Sequence, residues 1–315
     1  MKEQSSVIVH PRAALSPAGL WWGLLGVAAF SFTLPFTRIA VGGLSPLFIG
    51  SGRAVVAAAL AATALAVTRQ HPPTSRQWWR LAIVAGGVVV GFPLLTSFAM
   101  TAAPASHGAV VIGLLPAATA AVVVLRTRER PGGPFWWFAG LGAAAAVAFA
   151  SLQNGGLGEL HWADLLLFAA VLAAAVGYAE GGLLARELGA WQTVSWGLVL
   201  AAPLMLVLTL AAALADPPTA SPVQWLAFAY LAVVSMFLGF FAWYRGLAIG
   251  PMAQVSQIQL VQPVMSIAWA ALLLHEQIGW ATALGGVAVI LCAALAVRAR
   301  LITPRLTARP VKKES

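Results

Sequence analysis

Residues 250–278 read GPMAQVSQIQLVQPVMSIAWAALLLHEQI, and residues 103–130 read APASHGAVVIGLLPAATAAVVVLRTRER. The first stretch holds Pro251, Pro263 and Glu276. The second holds Pro104, Pro116 and Glu129. In both, the prolines are twelve apart and the glutamate follows thirteen later. All three positions therefore recur at an offset of 147, in a chain of 315 residues. A repeat of that length implies two copies of one structural unit.

Composition sets the solvent. Hydrophobic residues make up 61% of the chain and charged residues 9%. That leaves too little charge to cover a water-facing surface, so the chain is expected to be an integral membrane protein. Runs of about 20 apolar residues are long enough to cross the hydrocarbon as helices. No stretch alternates with the period of two that a membrane barrel needs. The net charge of +9 does not point to nucleic acid, because the basic residues sit in loops and tails between apolar runs. The single cysteine, Cys292, lies in such a run and has no metal-ligand neighbours. The apolar run after Lys2 and Arg12 continues to Ala40, past any plausible signal cleavage point, and reads as a first span.

Ten helices are predicted, at about 18–40, 45–67, 77–100, 104–125, 134–152, 161–185, 190–214, 222–245, 251–274 and 277–298. The breaks carry turn residues: Gly42-Gly43, Pro72-Pro73, Pro131-Gly132-Gly133, Gly155-Gly156 and Pro217-Pro218. Trp21-Trp22, Trp78-Trp79 and Trp136-Trp137 fall near span ends, where interfacial rings belong. With ten spans, both termini share a side. Every Lys and Arg except Arg38 and Arg53 falls on that side. The positive-inside rule then makes the termini cytoplasmic, and the plasma membrane is the expected location. The expected division is a cytoplasmic N-tail at 1–17, five-helix units at 18–152 and 153–299, and a basic cytoplasmic tail at 300–315. Five is odd, so the second unit must enter from the other face. Arg126, Arg128 and Arg130 are matched at the repeat offset by Leu273, His275 and Gln277, as that inversion requires. The fold class is thus all-α integral membrane, with ten transmembrane helices as two inverted five-helix repeats. Inverted repeats with a midplane site are the architecture of alternating-access transporters.

These features together resemble the EamA-type family of the drug/metabolite transporter superfamily. The likeness extends to Phe36–Arg53, FTRIAVGGLSPLFIGSGR, which is similar to that family's basic residue ending span 1, Leu-Ser-Pro turn and arginine in span 2. It covers about residues 20–299. Where the family usually has Trp-Gly near the middle of span 1, Phe30 and Ser31 stand here. The resemblance implies transport of amino acids, other metabolites or toxic compounds, often outward.

Polar groups inside hydrocarbon are costly, and each needs a partner or a task. Arg53 in span 2 either binds a substrate carboxylate or acts as a structural clamp. Gln259, Gln262 and Ser266 fall on one helical face, at i, i+3 and i+7. They either line a wet cavity or join neighbouring helices. With Thr33 they complete the expected substrate-binding set. Glu180 in span 6 is the expected proton-coupling carboxylate; the structural alternative is an inner-interface carboxylate paired with a basic residue such as Arg186, and a pair with Arg53 is also open. Pro116 and Pro263 sit mid-span and are the expected hinges, freeing the carbonyls of Ile112 and Gln259. Glu129 and Glu276 are expected to cap the N-terminus of the next helix or to pair with nearby arginines, rather than to bind substrate. His161 and Asp164 read as a helix-end charge pair. His107 either titrates or bonds a backbone group. Spans 5 and 10 are almost free of polar side chains and are expected at the periphery.

The expected function is a secondary transporter, an exporter of small metabolites, amino acids or drug-like solutes. The alternative is an uptake permease or facilitator of a small polar solute. An enzyme is not expected, since no two of the five histidines share a helix at metal-ligand spacing. No phosphate loop, metal or cofactor is expected. The expected partners are a small-molecule solute, the lipid bilayer and protons, with a homodimer as an option and no nucleic acid.

Overall fold

The computed structural model describes residues 17–128, 132–153, 160–249 and 258–302. Among these residues nine helices are long and apolar enough to cross a membrane. Span 1 is Pro17–Ala40, span 2 Pro46–Val67, span 3 Ser75–Ala102, span 4 Ala105–Thr127 and span 5 Gly133–Gln153. Span 6 is Trp162–Leu188, span 7 Ala190–Ala215, span 8 Pro222–Ile249 and span 10 Trp280–Ala299. A shorter helix, Val261–Leu274, stands where the sequence puts span 9. Pro251, Gln254, Gln257 and Glu129 lie outside the described residues. Among the described residues most helix ends fall within a few residues of the predicted ones; the predicted start of span 9 at 251 and the turn residues Pro131, Gly155 and Gly156 lie outside them.

The repeat is written into local structure, not only into residue identity. Span 3 opens on Thr74, whose N–H donates to Gln77 Oε1 at 2.9 Å; span 8 opens on Ser221, whose N–H donates to Gln224 Oε1 at 2.8 Å. Such capping boxes satisfy the donors a helix start leaves bare. Both helices then widen into a π-helical segment, Ala85–Gly91 in span 3 and Leu231–Leu238 in span 8. Arg128 after span 4 and His275 after span 9 both close their helices with left-handed backbone, at φ 55° and 54°. Each of these pairs keeps the 147-residue offset, to within a residue.

Packing repeats as well. Span 1 packs on span 8 and span 6 on span 3, each the image of the other pair. Span 2 packs on span 7, span 4 on span 9 and span 5 on span 10. Those are the three pairings that an axis exchanging the two units maps onto themselves. Spans 5 and 10 stand at one end of the bundle and show much apolar surface, as expected of lipid-facing helices. Without a hydrophobic drive between spans, close contact depends on small residues. A Cβ on Gly246 of span 8 would meet Gly23 N at 2.7 Å. A Cβ on Gly87 of span 3 would meet Ala173 O of span 6 at 2.4 Å. The two crossings that flank the centre of the bundle are thus both built on glycine.

Spans 4 and 9 are interrupted. Span 4 runs as Ala105–Ile112 and Leu115–Thr127, with a turn at 113–114; span 9 turns at 259–260 before Val261. Pro116 stands second and Pro263 third in the helix that follows, within the first turn, where an N–H has no partner inside the helix. The breaks meet: a Cβ on Gly113 would lie 3.6 Å from Pro263 Cγ. The carbonyl that Pro263 was expected to free, that of Gln259, accepts from Gln262 N at 3.1 Å. A neighbouring amide therefore re-satisfies it.

Candidate functional site

The two π segments and the broken span 9 converge on a small central cavity. Phe30, Thr33, Arg53, Val88, Phe92, Pro93, Tyr178, Ser235, Met236, Phe240 and Gln262 line it. Its volume is about 20 Å³, room for about one water. Val88 and Ser235 occupy equivalent places in the two π segments. A π segment shifts the register of the side chains beyond it, and such segments are frequent at functional sites. Thr33 and Ser235 share a hydrogen bond of 2.8 Å between their hydroxyls, joining span 1 to span 8. Phe30, Tyr178 and Phe240 form an aromatic wall, with ring centroids 4.9 Å apart for Phe30–Phe240 and 5.9 Å for Tyr178–Phe240.

Arg53 dominates the site's electrostatics. It is 1% exposed. Its Nη2 donates to Thr96 Oγ1 at 3.4 Å, and its Nε has no partner among the described residues. None of the ion pairs among the described residues includes it. Across the same cavity Gln262 Oε1 is buried without a donor. Buried polar atoms are normally paired, and a buried cation normally has a counter-ion. Here a donor and an acceptor, on two residues that line one small space, both lack a partner among the described residues.

Three of the expected substrate-binding residues, Arg53, Thr33 and Gln262, therefore come together. Gln259 and Ser266 do not join them. The expected single stripe fails because the chain turns at Gln259 and the helical register begins only at Val261. Gln259 is buried, with its Nε2 unpartnered, outside the cavity lining. Ser266 Oγ donates to Ser31 O at 2.7 Å, and Trp269 Nε1 donates to Ser31 Oγ at 2.9 Å. These bonds tie span 9 to span 1, which is the helix-joining alternative. The aromatic wall and Ser235 went unnoticed in the sequence. The 147-residue match of Val88 to Ser235 was the one signal that could have raised Ser235.

Glu180 is not the unpaired, desolvated carboxylate expected. Its Oε1 accepts from Arg80 Nε and its Oε2 from Arg126 Nε, the latter at 2.9 Å. Arg80 also pairs with Glu187. Neither Arg186 nor Arg53 takes part. The network ties the arginine-rich ends of spans 3 and 4 to the same end of span 6, so it joins the first repeat to the second. Arg80, near the start of the helix predicted over 77–100, is a buried residue of span 3.

The opposite ends carry a second set of cross-repeat bonds. His107 Nε2 and Asp164 Oδ1 are 2.6 Å apart, and Asp164 Oδ2 accepts from His161 N at 2.9 Å. Glu276 caps a helix, though not the next one: its oxygens accept from Ala105 N at 2.8 Å and Ser106 N at 2.9 Å, at the start of span 4. Arg38 Nη1 donates to Met100 O at 2.6 Å within the first repeat. Among the described residues no group of three or more His, Cys, Asp or Glu side chains is placed to hold a metal ion.

Comparison with known proteins agrees with this architecture. The EamA-like transporter family matches residues 17–151 and 161–298, once on each repeat. The uncharacterized transporter YdeK of Bacillus subtilis (strain 168) is 44% identical over 279 residues, covering 88% of this chain and 96% of that protein. A crystal structure with 18% sequence identity shares the fold at a TM-score of 0.61, covering 90% of this chain and 98% of that one.

Proposed function

Because the chain belongs to the EamA-like transporter family, we propose that it is a secondary transporter that exports a small, carboxylate-bearing solute by alternating access. The solute's anionic group pairs with Arg53, a donor on the solute meets Gln262 Oε1, and its apolar part lies against Phe30, Tyr178 and Phe240. The observation that carries this reading is Arg53: fully buried, on the central cavity, and in none of the ion pairs among the described residues. A solute carboxylate supplies the missing charge and accepts from the guanidinium fork.

The termini are cytoplasmic in this reading and the protein sits in the cell membrane. The Glu180 network is then the inner seam between the repeats, and the His107–Asp164 pair belongs to the outer seam. Rocking of one repeat against the other opens one seam while the other holds. Outward transport follows the habit of the family it resembles. No catalytic step is assigned to the chain.

The test is counterflow in proteoliposomes. Wild type and Arg53→Gln are loaded with unlabelled amino acids, other small carboxylates or amine drugs, and entry of the labelled compound is followed. Saturable counterflow of a carboxylate in wild type and its loss in the variant support the reading. Counterflow confined to solutes without an anionic group, or undiminished in the variant, overturns it.

A further inference from the structure

On the face opposite the arginine network lies a cavity of about 340 Å³. Ser106, His107, Gln153, His161, Asp164 and Glu276 are among its lining residues. It is polar and roomy enough to hold several waters. The His107–Asp164 pair borders this cavity, with side chains 7% and 2% exposed. His107 comes from span 4 of the first repeat and Asp164 from span 6 of the second. One hydrogen-bonded proton therefore bridges the repeats, at a point bordered by water on one side and protein on the other.

The pair's surroundings define what it can bind. The titratable side chains facing it are His161 from span 6 and Glu276 from the end of span 9. Glu276 is already engaged with the N–H groups of Ala105 and Ser106. Gln153 and Thr282 are neutral and bond each other at 2.9 Å. Phe149 covers the imidazole at a centroid distance of 5.0 Å. The group left to accept a proton from the cavity water is the imidazole, and imidazole is the side chain whose charge changes most readily near neutral pH.

The geometry points to the His107–Asp164 pair as a proton-binding site, filled from the outer cavity, that sets how firmly the outer seam closes. This inference rests on the transport reading above and names the ion that regulates it. A proton from cavity water adds to His107 Nδ1, while Nε2–H continues to donate to Asp164 Oδ1. The bond becomes charge-assisted and the outer seam tightens. Loss of the proton leaves the Asp164 charge buried against a weaker neutral donor, and the seam loosens. Sixteen residues further along the same helix, about 24 Å away, Glu180 holds the inner seam. Span 6 is therefore fastened to the first repeat at both ends, and an external proton that fastens one end favours release at the other. The proton returns to the same cavity when the outer solution is alkaline, so the outer pH sets how firmly that seam closes.

The test needs no solute. Spin labels are placed at Thr101 and Leu160, one on each repeat at the outer face, in full-length protein carrying Cys292→Ala, in lipid nanodiscs. Interlabel distances are measured by pulsed electron resonance between about pH 5.5 and 8.5. The expected result is a distance that lengthens as pH rises in wild type, with the shift lost in His107→Gln and in Asp164→Asn and kept in His161→Gln. A wild-type distance that ignores pH overturns the proposal, as does a shift that survives in His107→Gln. Should both variants fail to fold, the His107 ring resonance of wild type decides: it must titrate in this range together with the distance. A negative result here leaves counterflow intact, whereas absent counterflow removes the transport reading without touching the pH response.

Discussion

The Glu276 carboxylate accepts a hydrogen bond from Ser106 N, 2.9 Å away and 170 residues earlier in the chain. Its other oxygen takes Ala105 N at 2.8 Å. A carboxylate at a helix N-terminus satisfies bare donors and meets the positive end of the helix dipole. Here the helix it caps belongs to the other repeat. Glu276→Ala should lower stability by about 0.5–2 kcal/mol, and Glu276→Gln by less. Thermal unfolding of both variants in one detergent checks the order.

Arg53 separates function from stability. Replacing it removes a buried cation that no described carboxylate balances, so Arg53→Gln should unfold at the same temperature as wild type or higher. The same variant should bind a transported carboxylate about 10- to 100-fold more weakly. Arg53→Lys should recover only part of that affinity, because a single ammonium lacks the planar fork. A clamp role predicts the reverse on stability. Unfolding curves beside binding isotherms distinguish the two.

Glu180 behaves oppositely. Glu180→Gln leaves Arg80, a buried cation, with Glu187 as its remaining carboxylate and should cost up to about 3 kcal/mol. The double variant Arg80→Gln/Glu180→Gln should cost less than the two single ones added, by about 0.5–3 kcal/mol. A double-mutant cycle of unfolding free energies measures that difference.

Ser266 should matter for packing and not for solute. Ser266→Ala loses the bond to Ser31 O and should cost about 0.6–2 kcal/mol with solute affinity unchanged. Gln262→Leu should weaken solute binding instead, since Gln262 lines the cavity and its Oε1 is unpartnered among the described residues. Equal effects of the two on affinity would restore the single polar stripe read from the sequence.

Gly86 and Gly87 are neighbours with opposite tolerance. A Cβ on Gly87 would press on the Ala173 backbone, which cannot move aside; one on Gly86 meets nothing within 4 Å. Gly87→Ala should destabilise by about 1–3 kcal/mol, and Gly86→Ala by no more than about 0.5 kcal/mol. Paired melting curves test this.

The membrane class, the spans, the two repeats and the family were all legible in the linear sequence. Each rests on a one-dimensional quantity: apolar run length, turn residues at fixed places, the spacing Pro104–Pro116–Glu129 against Pro251–Pro263–Glu276. Hydrocarbon makes these sufficient, because a backbone with no water to bond must form helices of a set length. The same logic flagged Arg53 and Gln262, since a polar residue in an apolar run is conspicuous without any partner in view.

Pairing was not legible in that way. Arg80 finds Glu180 across 100 residues, and His107 finds Asp164 across 57. Which carboxylate meets which cation depends on the rotation of each helix about its own axis. Packing against the neighbouring helices sets that rotation, along with register shifts such as the two π segments. The turn at 259–260 removed Gln259 from the face it was read on, while the fold that brought spans 1, 2 and 9 together put Thr33, Arg53 and Gln262 around one cavity. Residue type alone identified the groups that need a partner; the supply of partners came from helix packing in three dimensions, where burial makes each unmatched charge expensive enough to fix the arrangement.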